Sequence, residues 1–304
     1  MTSRLVLIDG HAILHRAYHA FPKSLTTRNG ELVNAVYGFT RILLSVLNEL
    51  GPKYVAVAFD LPIPTFRHKA YVGYQVQRPA MDAELKDQID RVKEVVAALN
   101  MPIFSVPGFE ADDVIGTLAR QATCPVIIVT GDKDILQLVR SGVKVYAPGR
   151  SMAEAVIYNK TGVFKYLGVY PGQIVDYKAL VGDSSDNYPG VPGIGPKTAI
   201  ELLRKYKNLA SIYRHLKELK PLVAERLAQG KESALLSQKL ARISEKAPIK
   251  LDLKACLVHD YNQERVIELF NSLQFKSLIN KLPGVEKNQE SRIKNQGPKQ
   301  MSLI

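Results

Sequence analysis

Leu5-Val-Leu-Ile-Asp9 decides the fold, because four apolar residues that suit a β-strand are followed at once by a carboxylate. Similar apolar runs occupy residues 54–59, just before Asp60, and residues 126–130, shortly before Asp132. Further β-rich runs lie at 103–106 and 143–146, and helical patterns separate the runs from one another. The sequence therefore predicts an α/β fold with a mainly parallel central sheet and helices on both faces.

Nine carboxylates fall into five short clusters, most of them at the ends of these apolar runs. Acidic groups gathered in one place repel each other, and the usual reason to build such a site is a set of divalent cations with oxygen ligands. The C-terminal ends of parallel strands meet in one crevice, so carboxylates distant in sequence are expected to converge there. Helix capping explains any single cluster, but it would need five coincidences to explain them all. The candidate metal ligands are Asp9, Asp60, Glu110, Asp112, Asp113, Asp132, Asp134, Asp183 and Asp186.

From about Pro171 onward, helical patterns replace the strand patterns. They lie at residues 173–180, 197–206, 209–216, 233–243 and 264–273. The last twenty residues are polar and mostly aperiodic. We therefore expect an α/β domain over residues 1–170, a helical region over residues 171–284 and a flexible tail over residues 285–304.

The last acidic cluster leads into Val191-Pro-Gly-Ile-Gly-Pro-Lys-Thr-Ala199, a tight glycine-rich turn that enters a helix. Glycines let the backbone approach a phosphate closely, Pro196 suits the first helical turn, and the helix N-terminus offers free N–H donors. A purely structural loop is the alternative, but the pattern favours binding of duplex DNA without regard to sequence. The candidate DNA contacts are Arg16, Gly193, Gly195, Lys197 and Thr198.

The composition is that of a globular protein with a basic surface: 41 Lys and Arg residues outnumber 29 Asp and Glu residues, and the net charge is +12. A basic body around an acidic, metal-loaded pocket fits a polyanionic ligand, although a merely soluble basic surface is an alternative. Cys124 and Cys256 have no zinc or redox spacing. No segment approaches the ~20 apolar residues that span a bilayer, so we expect a cytoplasmic protein.

Residues 62–85 mix cationic and aromatic side chains without a clear core stripe. Cations hold phosphates and aromatic rings stack on unpaired bases, so this mixture predicts an element that grips a single strand. The alternative is a solvated helical face with ordinary tyrosine packing. The candidate residues for contacts to that strand are Arg67, Tyr74, Gln75 and Arg78.

Metal ligands and a phosphate-binding hairpin together indicate a nuclease, and the motifs over about residues 4–283 resemble those of the bacterial 5′ nucleases. This family comprises the 5′-to-3′ exonuclease domain of DNA polymerase I and its flap endonuclease relatives. The motifs that carry the resemblance are Leu-Ile-Asp9-Gly, Ala-Phe-Asp60, Phe66-Arg-His-Lys-Ala-Tyr71, Gly108-Phe-Glu-Ala-Asp-Asp113, Thr130-Gly-Asp-Lys-Asp134 and Gly182-Asp-Ser-Ser-Asp-Asn187.

The resemblance implies a PIN-like α/β fold, a helix-hairpin-helix motif in the helical region, and a helical arch at residues 62–85 that guides the single strand. It also implies two divalent ions, Mg²⁺ or Mn²⁺, which the nine carboxylates hold directly or through water, and K⁺ as a candidate ion at the hairpin. We expect a monomer in the bacterial cytoplasm that acts on DNA with 5′ flaps, nicks or primer ends. Its expected function is that of a structure-specific 5′-to-3′ exonuclease and 5′ flap endonuclease in replication and repair.

One position departs from the family pattern, in which a lysine normally follows the arch tyrosine: here Gln75 follows Tyr74. Glutamine can donate a hydrogen bond to a phosphate oxygen but brings no charge, and the loss of one such electrostatic donor costs ~10²–10³ in rate. Arg67 and Arg78 are nearby candidates to replace the charge. The alternative function is therefore a catalytically weak or inactive DNA-junction-binding protein that is tethered to the sliding clamp. A toxin-like ribonuclease is a third, which the hairpin motif and the chain length disfavour.

The last five residues, Gln300-Met-Ser-Leu-Ile304, resemble the pentapeptide that binds the bacterial sliding clamp. A tether at the end of a flexible tail raises the local concentration of the protein at its partner. A random apolar terminus is the alternative. The candidate clamp contacts are Gln300, Met301, Leu303 and Ile304.

Overall fold

The structure, a computed structural model, describes residues 2–149, 154–258 and 261–284. Its strands are β1 (Thr2–Asp9), β2 (Pro52–Ala58), β3 (Ile103–Phe104), β4 (Val126–Val129), β5 (Val143–Ala147) and β6 (Val156–Tyr158). They form one six-stranded sheet in the order β3-β2-β1-β4-β5-β6. Strands β1 to β5 are parallel and β6 is antiparallel to β5, which confirms the predicted mainly parallel sheet. The short edge strand β6 was not predicted.

Side chains of each strand alternate between the two faces of the sheet, as the strand period of two requires. In β1, Leu5 and Leu7 join the apolar core on one face, and Val6 and Ile8 join the core on the other. Both faces are therefore covered. This explains why the central strands read as continuous apolar runs rather than as an alternation of apolar and polar residues.

Helices cover both faces of the sheet. In chain order, the α-helices of the described residues are α1 (Gly10–Ala20), α2 (Asn34–Leu50), α3 (Phe66–Ala70), α4 (Ala83–Lys86), α5 (Ile89–Ala98), α6 (Ala111–Gln121), α7 (Lys160–Leu167), α8 (Ile174–Val181), α9 (Pro196–Tyr206), α10 (Leu209–Arg214), α11 (Pro221–Gln229), α12 (Lys231–Ala241), α13 (Gln263–Ser272) and α14 (Lys276–Ile279). Helices α1, α2, α5, α13 and α14 pack on the Val6 face, and α6 to α12 contribute to the core of the Leu5 face. Within this described part of the chain, no helix is long and apolar enough to cross a bilayer.

The strand order reverses at β1, which lies between β2 and β4. In open α/β sheets, ligands bind at such a switch point, beyond the C-terminal ends of the strands. Asp9 ends β1, Asp60 follows β2, and Asp132 follows β4. The topology therefore directs these three carboxylates into one crevice.

The region predicted to be helical, residues 171–284, is helical where the structure describes it, and most of its buried residues join the two cores of the sheet. Its first helices share the core of the Leu5 face, and α13 and α14 return to the opposite face. The division of the chain near residue 170 stays a prediction. Within residues 62–85, the structure has the five-residue helix α3, a series of turns and the start of α4. The candidate clamp-binding residues 300–304 lie outside the described residues.

Gly190 closes the loop that carries Asp183, and we expect Gly190→Ala to destabilise the protein. A Cβ atom at Gly190 would lie 2.2 Å from the backbone nitrogen of Gly182, and its φ is +63°. The expected cost is about 3 kcal/mol or more, because backbone atoms cannot move aside easily. Gly142→Ala is the control, since φ is +80° there but nothing lies within 4 Å of the added Cβ. It should cost only ~1–2 kcal/mol for the left-handed backbone. Urea denaturation measures both, and equal costs would contradict the steric explanation.

Candidate metal centre and DNA-binding hairpin

The first group of carboxylates surrounds the end of β1. Asp9 is buried, and its two oxygens accept hydrogen bonds from the Ala12 N–H at 3.0 Å and from the Thr130 hydroxyl at 2.7 Å. Asp60 Oδ1 accepts a hydrogen bond from the Ala111 N–H at 2.7 Å, in the first turn of α6. The N-terminal turns of two helices thus help to fix both carboxylates in the crevice.

Five acidic groups share this crevice, and their burial and mutual charges shift the pKa values of several of them. Burial raises the pKa of Asp9 to about 6, and the charges of Asp60 and Asp132 contribute. Burial, followed by the charges of Asp132, Asp9, Asp60 and Glu110, raises the pKa of Asp112 well above its usual range. Burial also raises the pKa of Glu110 to about 7. In the absence of a bound cation, these carboxyl groups therefore keep their protons to a higher pH than carboxyl groups exposed to water do.

Asp134, Asp183 and Asp186 form the second group, and their ligand oxygens lie within 4.8 Å of one another. Asp134 begins the 3₁₀ turn after β4, and the other two residues lie in the loop between α8 and α9. Burial raises the pKa of Asp134 to about 6. Burial would also raise the pKa of Asp183, but the Lys178 ammonium holds it below its ordinary value.

Lys178 is a site residue that the sequence reading missed. Its ammonium forms ion pairs with both Asp134 and Asp183, and its side chain is 14% exposed. The available signal was a lysine in the last turns of α8, next to the buried residues Ala179 and Leu180. A lysine largely withdrawn from solvent needs a partner, so this position pointed to nearby acids. The ammonium shows that this carboxylate pair takes a compensating cation.

The donor set fits hard divalent cations. Carboxylate oxygens are the ligands that Mg²⁺ and Mn²⁺ take, and the two groups lie next to each other. Tyr74 joins them, because its hydroxyl lies 3.2 Å from Glu110 Oε2 and 3.4 Å from Asp186 Oδ2. The arrangement supports the predicted binding of divalent metal.

Asp113 and Arg67 pair with each other in the interior, at the inner edge of this centre, which contradicts the predictions that Asp113 binds metal and that Arg67 contacts a DNA strand. Arg67 Nη1 and Nη2 donate to the two oxygens of Asp113 at 2.8 and 2.9 Å. The N–H groups of Glu110 and Ser244 also donate to Asp113, at 3.0 and 2.7 Å. Arg67 is 2% exposed and Asp113 is 0% exposed. Their charges satisfy each other in the interior, so Asp113 is not free to bind a metal and Arg67 is not free to contact a DNA strand.

The other three strand-contact candidates differ in exposure. Tyr74 is buried, Gln75 is half-buried and Arg78 is exposed. Gln75 Nε2 donates to Asp186 Oδ1 at 2.9 Å. The Tyr74 hydroxyl and the Gln75 amide therefore face carboxylates of the metal centre, whereas Arg78 is accessible to a phosphate.

The hairpin between α8 and α9 presents its glycines to solvent. Gly193 (φ +80°), Gly195 and Lys197 are exposed, and Thr198 is half-buried in the first turn of α9. Arg226 of α11 was not predicted, and its Nη1 donates to the Gly193 carbonyl at 2.8 Å. No local pattern signals this contact, because the two residues are 33 positions apart.

Arg16 belongs to a different part of the molecule from the other predicted DNA contacts. It is half-buried on α1, which packs on the Val6 face, whereas the hairpin residues Val191 and Ile194 pack on the Leu5 face. The structure therefore does not bring Arg16 into the hairpin.

Two family models match the chain. They are the 5′-3′ exonuclease N-terminal resolvase-like domain over residues 4–168 and the 5′-3′ exonuclease C-terminal SAM fold over residues 169–264. DNA polymerase I of Caldicellulosiruptor bescii is 42% identical over 284 residues, which cover 92% of this chain and 33% of that protein. DNA polymerase I of Bacillus caldotenax is 39% identical over 294 residues, which cover 95% and 33%, respectively. The chain thus spans about a third of the length of these relatives.

Solved structures share the fold. A bacteriophage T5 flap endonuclease, in a pseudo-enzyme-product complex with DNA and metal ions, matches with a TM-score of 0.67 and 18% identity over 89% of this chain and 99% of that one. The catalytic core of Rad2 in complex with a DNA substrate matches with a TM-score of 0.55 and 17% identity over 96% and 90%. At this level of identity, the likeness establishes the fold alone.

Asp112→Asn should stabilise the metal-free protein at pH 8. Folding raises the pKa of Asp112 above its ordinary value of 3.8. The protonated carboxyl group therefore contributes its full stabilisation below pH 3.8, and this stabilisation is lost as pH rises through the raised pKa. Removing the charge should therefore raise the free energy of unfolding at pH 8 by about 1–3 kcal/mol, or several degrees in Tm. The gain should be smaller at pH 4.5.

Thermal unfolding in EDTA at the two pH values measures this difference. In saturating Mg²⁺, the order should reverse, since the wild type has the extra ligand and gains more from the cation. A stabilisation that is independent of both pH and metal would show that Asp112 is not part of a repulsive, cation-dependent cluster.

Proposed function

The chain belongs to the 5′-3′ exonuclease family, and from this premise we propose that it hydrolyses phosphodiester bonds in DNA as a structure-specific 5′-3′ exonuclease and 5′ flap endonuclease. The observation that carries the proposal is the convergence of two carboxylate groups at the switch point of the sheet, beside an exposed hairpin. The solved complexes of T5 flap endonuclease and Rad2 contain DNA, which supports DNA as the substrate class. We expect 5′ flaps, nicks and primer ends of replication and repair as its substrates.

The carboxylates of the crevice would hold two divalent ions, for which we propose Mg²⁺ or Mn²⁺. When bound, such a pair activates a water molecule and neutralises the charge that develops on the phosphate and the leaving oxygen. The raised pKa values of Asp9, Glu110 and Asp134 mean that these groups release protons when a cation binds. The proposed ligands are Asp9, Asp60, Glu110, Asp112 and Asp132 in the first group and Asp134, Asp183 and Asp186 in the second.

The hairpin would hold the duplex through its phosphates. Exposed Gly193 and Gly195 let the DNA backbone approach, the first turn of α9 offers N–H donors, and Lys197 adds a charge. The Gly193 carbonyl fixes the Arg226 guanidinium, which keeps further N–H donors for a phosphate. Arg226 thus supplies a positive charge where the family resemblance suggests an ion, and K⁺ at the hairpin stays a prediction.

A DNA-junction-binding protein without catalysis is the second candidate. The observation that favours it is the neutral Gln75 in the position where the family pattern has lysine. We further propose that the protein is a monomer in the bacterial cytoplasm. Contact with the sliding clamp through residues 300–304 stays a prediction.

Cleavage of a 5′-labelled flap duplex tests the nuclease proposal. The wild type should release the flap with Mg²⁺ or Mn²⁺ but not with EDTA, and Asp134→Asn should lower the rate by ~10²–10³, because it removes a charge from the centre. Asp90→Asn is the control, since the Asp90 side chain is 95% exposed on α5, and its rate should stay within about twofold. Junction binding without any product in the wild type would contradict the nuclease and favour the binding protein.

Arg226→Gln tests the hairpin. We expect it to weaken binding of a nicked duplex about 5- to 10-fold and to lower the slope of log affinity against log salt by about 1, because one phosphate contact is lost. Arg214→Gln, on the exposed side of α10, removes the same charge without touching the hairpin and should have a smaller effect. An unchanged salt slope in Arg226→Gln would show that Arg226 only supports the turn.

A further inference from the structure

We propose that Gln75 is a positioning residue of the metal centre: it orients Asp186 for the divalent cation and couples binding of that cation to the order of residues 71–78. This differs from the role predicted from sequence, in which the Gln75 amide donates to a DNA phosphate. The inference rests on the proposed function only in taking Asp134, Asp183 and Asp186 as a metal centre.

Gln75 reaches Asp186 through both its side chain and its backbone. Its Nε2 donates to Asp186 Oδ1 at 2.9 Å, and its backbone N–H donates to the Asp186 carbonyl at 3.0 Å. The same Nε2 lies 3.3 Å from the Tyr74 hydroxyl, which in turn lies 3.4 Å from Asp186 Oδ2. Asp186 Oδ1 therefore accepts from the Gln75 amide, and Oδ2 lies beside the Tyr74 hydroxyl, whose single proton Asp186 shares with Glu110. The orientation of Asp186 thus depends mainly on Gln75.

A reciprocal contact holds the two segments together. Asn187, the neighbour of Asp186, donates from Nδ2 to the Gly73 carbonyl at 2.7 Å. Both Gln75 and Asn187 adopt the left-handed backbone conformation, with φ of +55° and +54°. Gln75 in particular is an unusual residue for this conformation, and such strain persists where surrounding contacts over-determine it. The paired hydrogen bonds supply those contacts.

Apolar packing does little to hold the rest of this segment. Val72 is 93% exposed and Val76 is 68% exposed, although Tyr74 between them is buried. Tyr71 and Tyr74 pack in one small apolar cluster, and the Tyr71 N–H donates to the Arg67 carbonyl. Beyond Tyr74, the position of this segment depends on the hydrogen bonds to Asp186 and Asn187. A cation that fixes Asp186 should also fix this segment.

The neutral amide suits this role better than a lysine would. Hydrogen-bond partners of ligating carboxylates set ligand orientation, and their loss typically costs ~10–100-fold in metal affinity or activity. An amide N–H can keep its bond to Oδ1 while the other lone pairs of Asp186 bind a cation. An ammonium at the same place would repel that cation and add to the competing charge of Lys178, which already pairs with Asp134 and Asp183.

Mn²⁺ binding without DNA, followed by the electron paramagnetic resonance signal of free Mn²⁺, tests the inference on the full chain. Gln75→Met keeps the size of the side chain but removes the N–H donors. We expect one of the two Mn²⁺ dissociation constants to rise about tenfold, while the other stays within about twofold. Gln77→Met is the matched control on the same segment, since Gln77 is exposed, and it should leave both constants unchanged. Gln75→Lys should weaken the same ion as Gln75→Met does.

Hydrogen exchange and cleavage kinetics provide a second readout. Mn²⁺ should slow amide exchange in residues 71–78 of the wild type several-fold, and by much less in Gln75→Met. The cleavage rate of Gln75→Met on flap DNA should recover to within about threefold of the wild type at saturating Mn²⁺, because the defect lies in metal affinity. A rate that stays low at saturating Mn²⁺, with unchanged Mn²⁺ constants, would overturn the inference and place the Gln75 amide on the substrate.

The outcomes also separate this inference from the proposed function. Unchanged Mn²⁺ binding in Gln75→Met, or tighter binding in Gln75→Lys, would overturn the positioning role even in an active nuclease. Gln75-dependent Mn²⁺ binding in a protein that cuts no DNA would support the positioning role and overturn only the nuclease. Absence of Mn²⁺ binding by the wild type would overturn both.

Discussion

The buried ion pair between Arg67 and Asp113 joins the parts of the chain that build the site. Arg67 comes from α3 and Asp113 from α6, and both are almost fully buried. Arg67 Nε also donates to the Leu240 carbonyl at 2.9 Å, and the Ser244 N–H donates to Asp113 at 2.7 Å, so the end of α12 takes part. Removal of one partner from such a pair typically costs ~3–5 kcal/mol, because the other charge is left buried without compensation. Three segments that are distant in sequence therefore depend on one charged contact.

This pair also sets the edge of the acidic crevice. Arg67 Nη1 lies 3.1 Å from Glu110 Oε2, and the Tyr74 hydroxyl lies 3.2 Å from the same oxygen. Glu110 thus has a permanent cation on its inner side and the other carboxylates on its outer side. Burial, together with the charges of Asp113, Asp60 and Asp186, raises the pKa of Glu110 to about 7 and outweighs the Arg67 guanidinium, which lowers that pKa.

The two cations near the centre have different physical characters. The Arg67 guanidinium is held in a bidentate contact with Asp113 and is almost fully buried, so it is a fixed part of the interior. The Lys178 ammonium is a compact charge between Asp134 and Asp183, two residues that are expected to bind metal. A divalent cation there must share or displace that ammonium. The metal affinity of this group therefore depends on how much more strongly the carboxylates bind the divalent cation than the Lys178 ammonium. The neutral Gln75 adds a hydrogen-bond donor to Asp186 without adding a third positive charge.

The sequence by itself determined that the chain forms a sheet, that its strands are mainly parallel, and at which edge of the sheet the acidic residues gather. These features follow from local patterns: runs such as residues 5–8 and 126–129 form strands because of their apolar β-branched content, and Asp9 and Asp132 lie at the end that the chain direction dictates. The turn with Gly193 and the helix after Pro196 were equally readable, because backbone conformation and capping depend on neighbours in sequence.

Only the tertiary structure decided which charged side chains face the crevice and which face the interior. Asp112 and Asp113 are adjacent in sequence, yet successive residues of a helix point about 100° apart, so one faces the acidic group and the other meets Arg67. The contacts of Lys178 with Asp134 and of Arg226 with Gly193 join segments whose separation carries no local signal. Charge–charge and hydrogen-bond partners are chosen by distance in space. A single sequence gives the residues their chemistry, and packing gives them their partners.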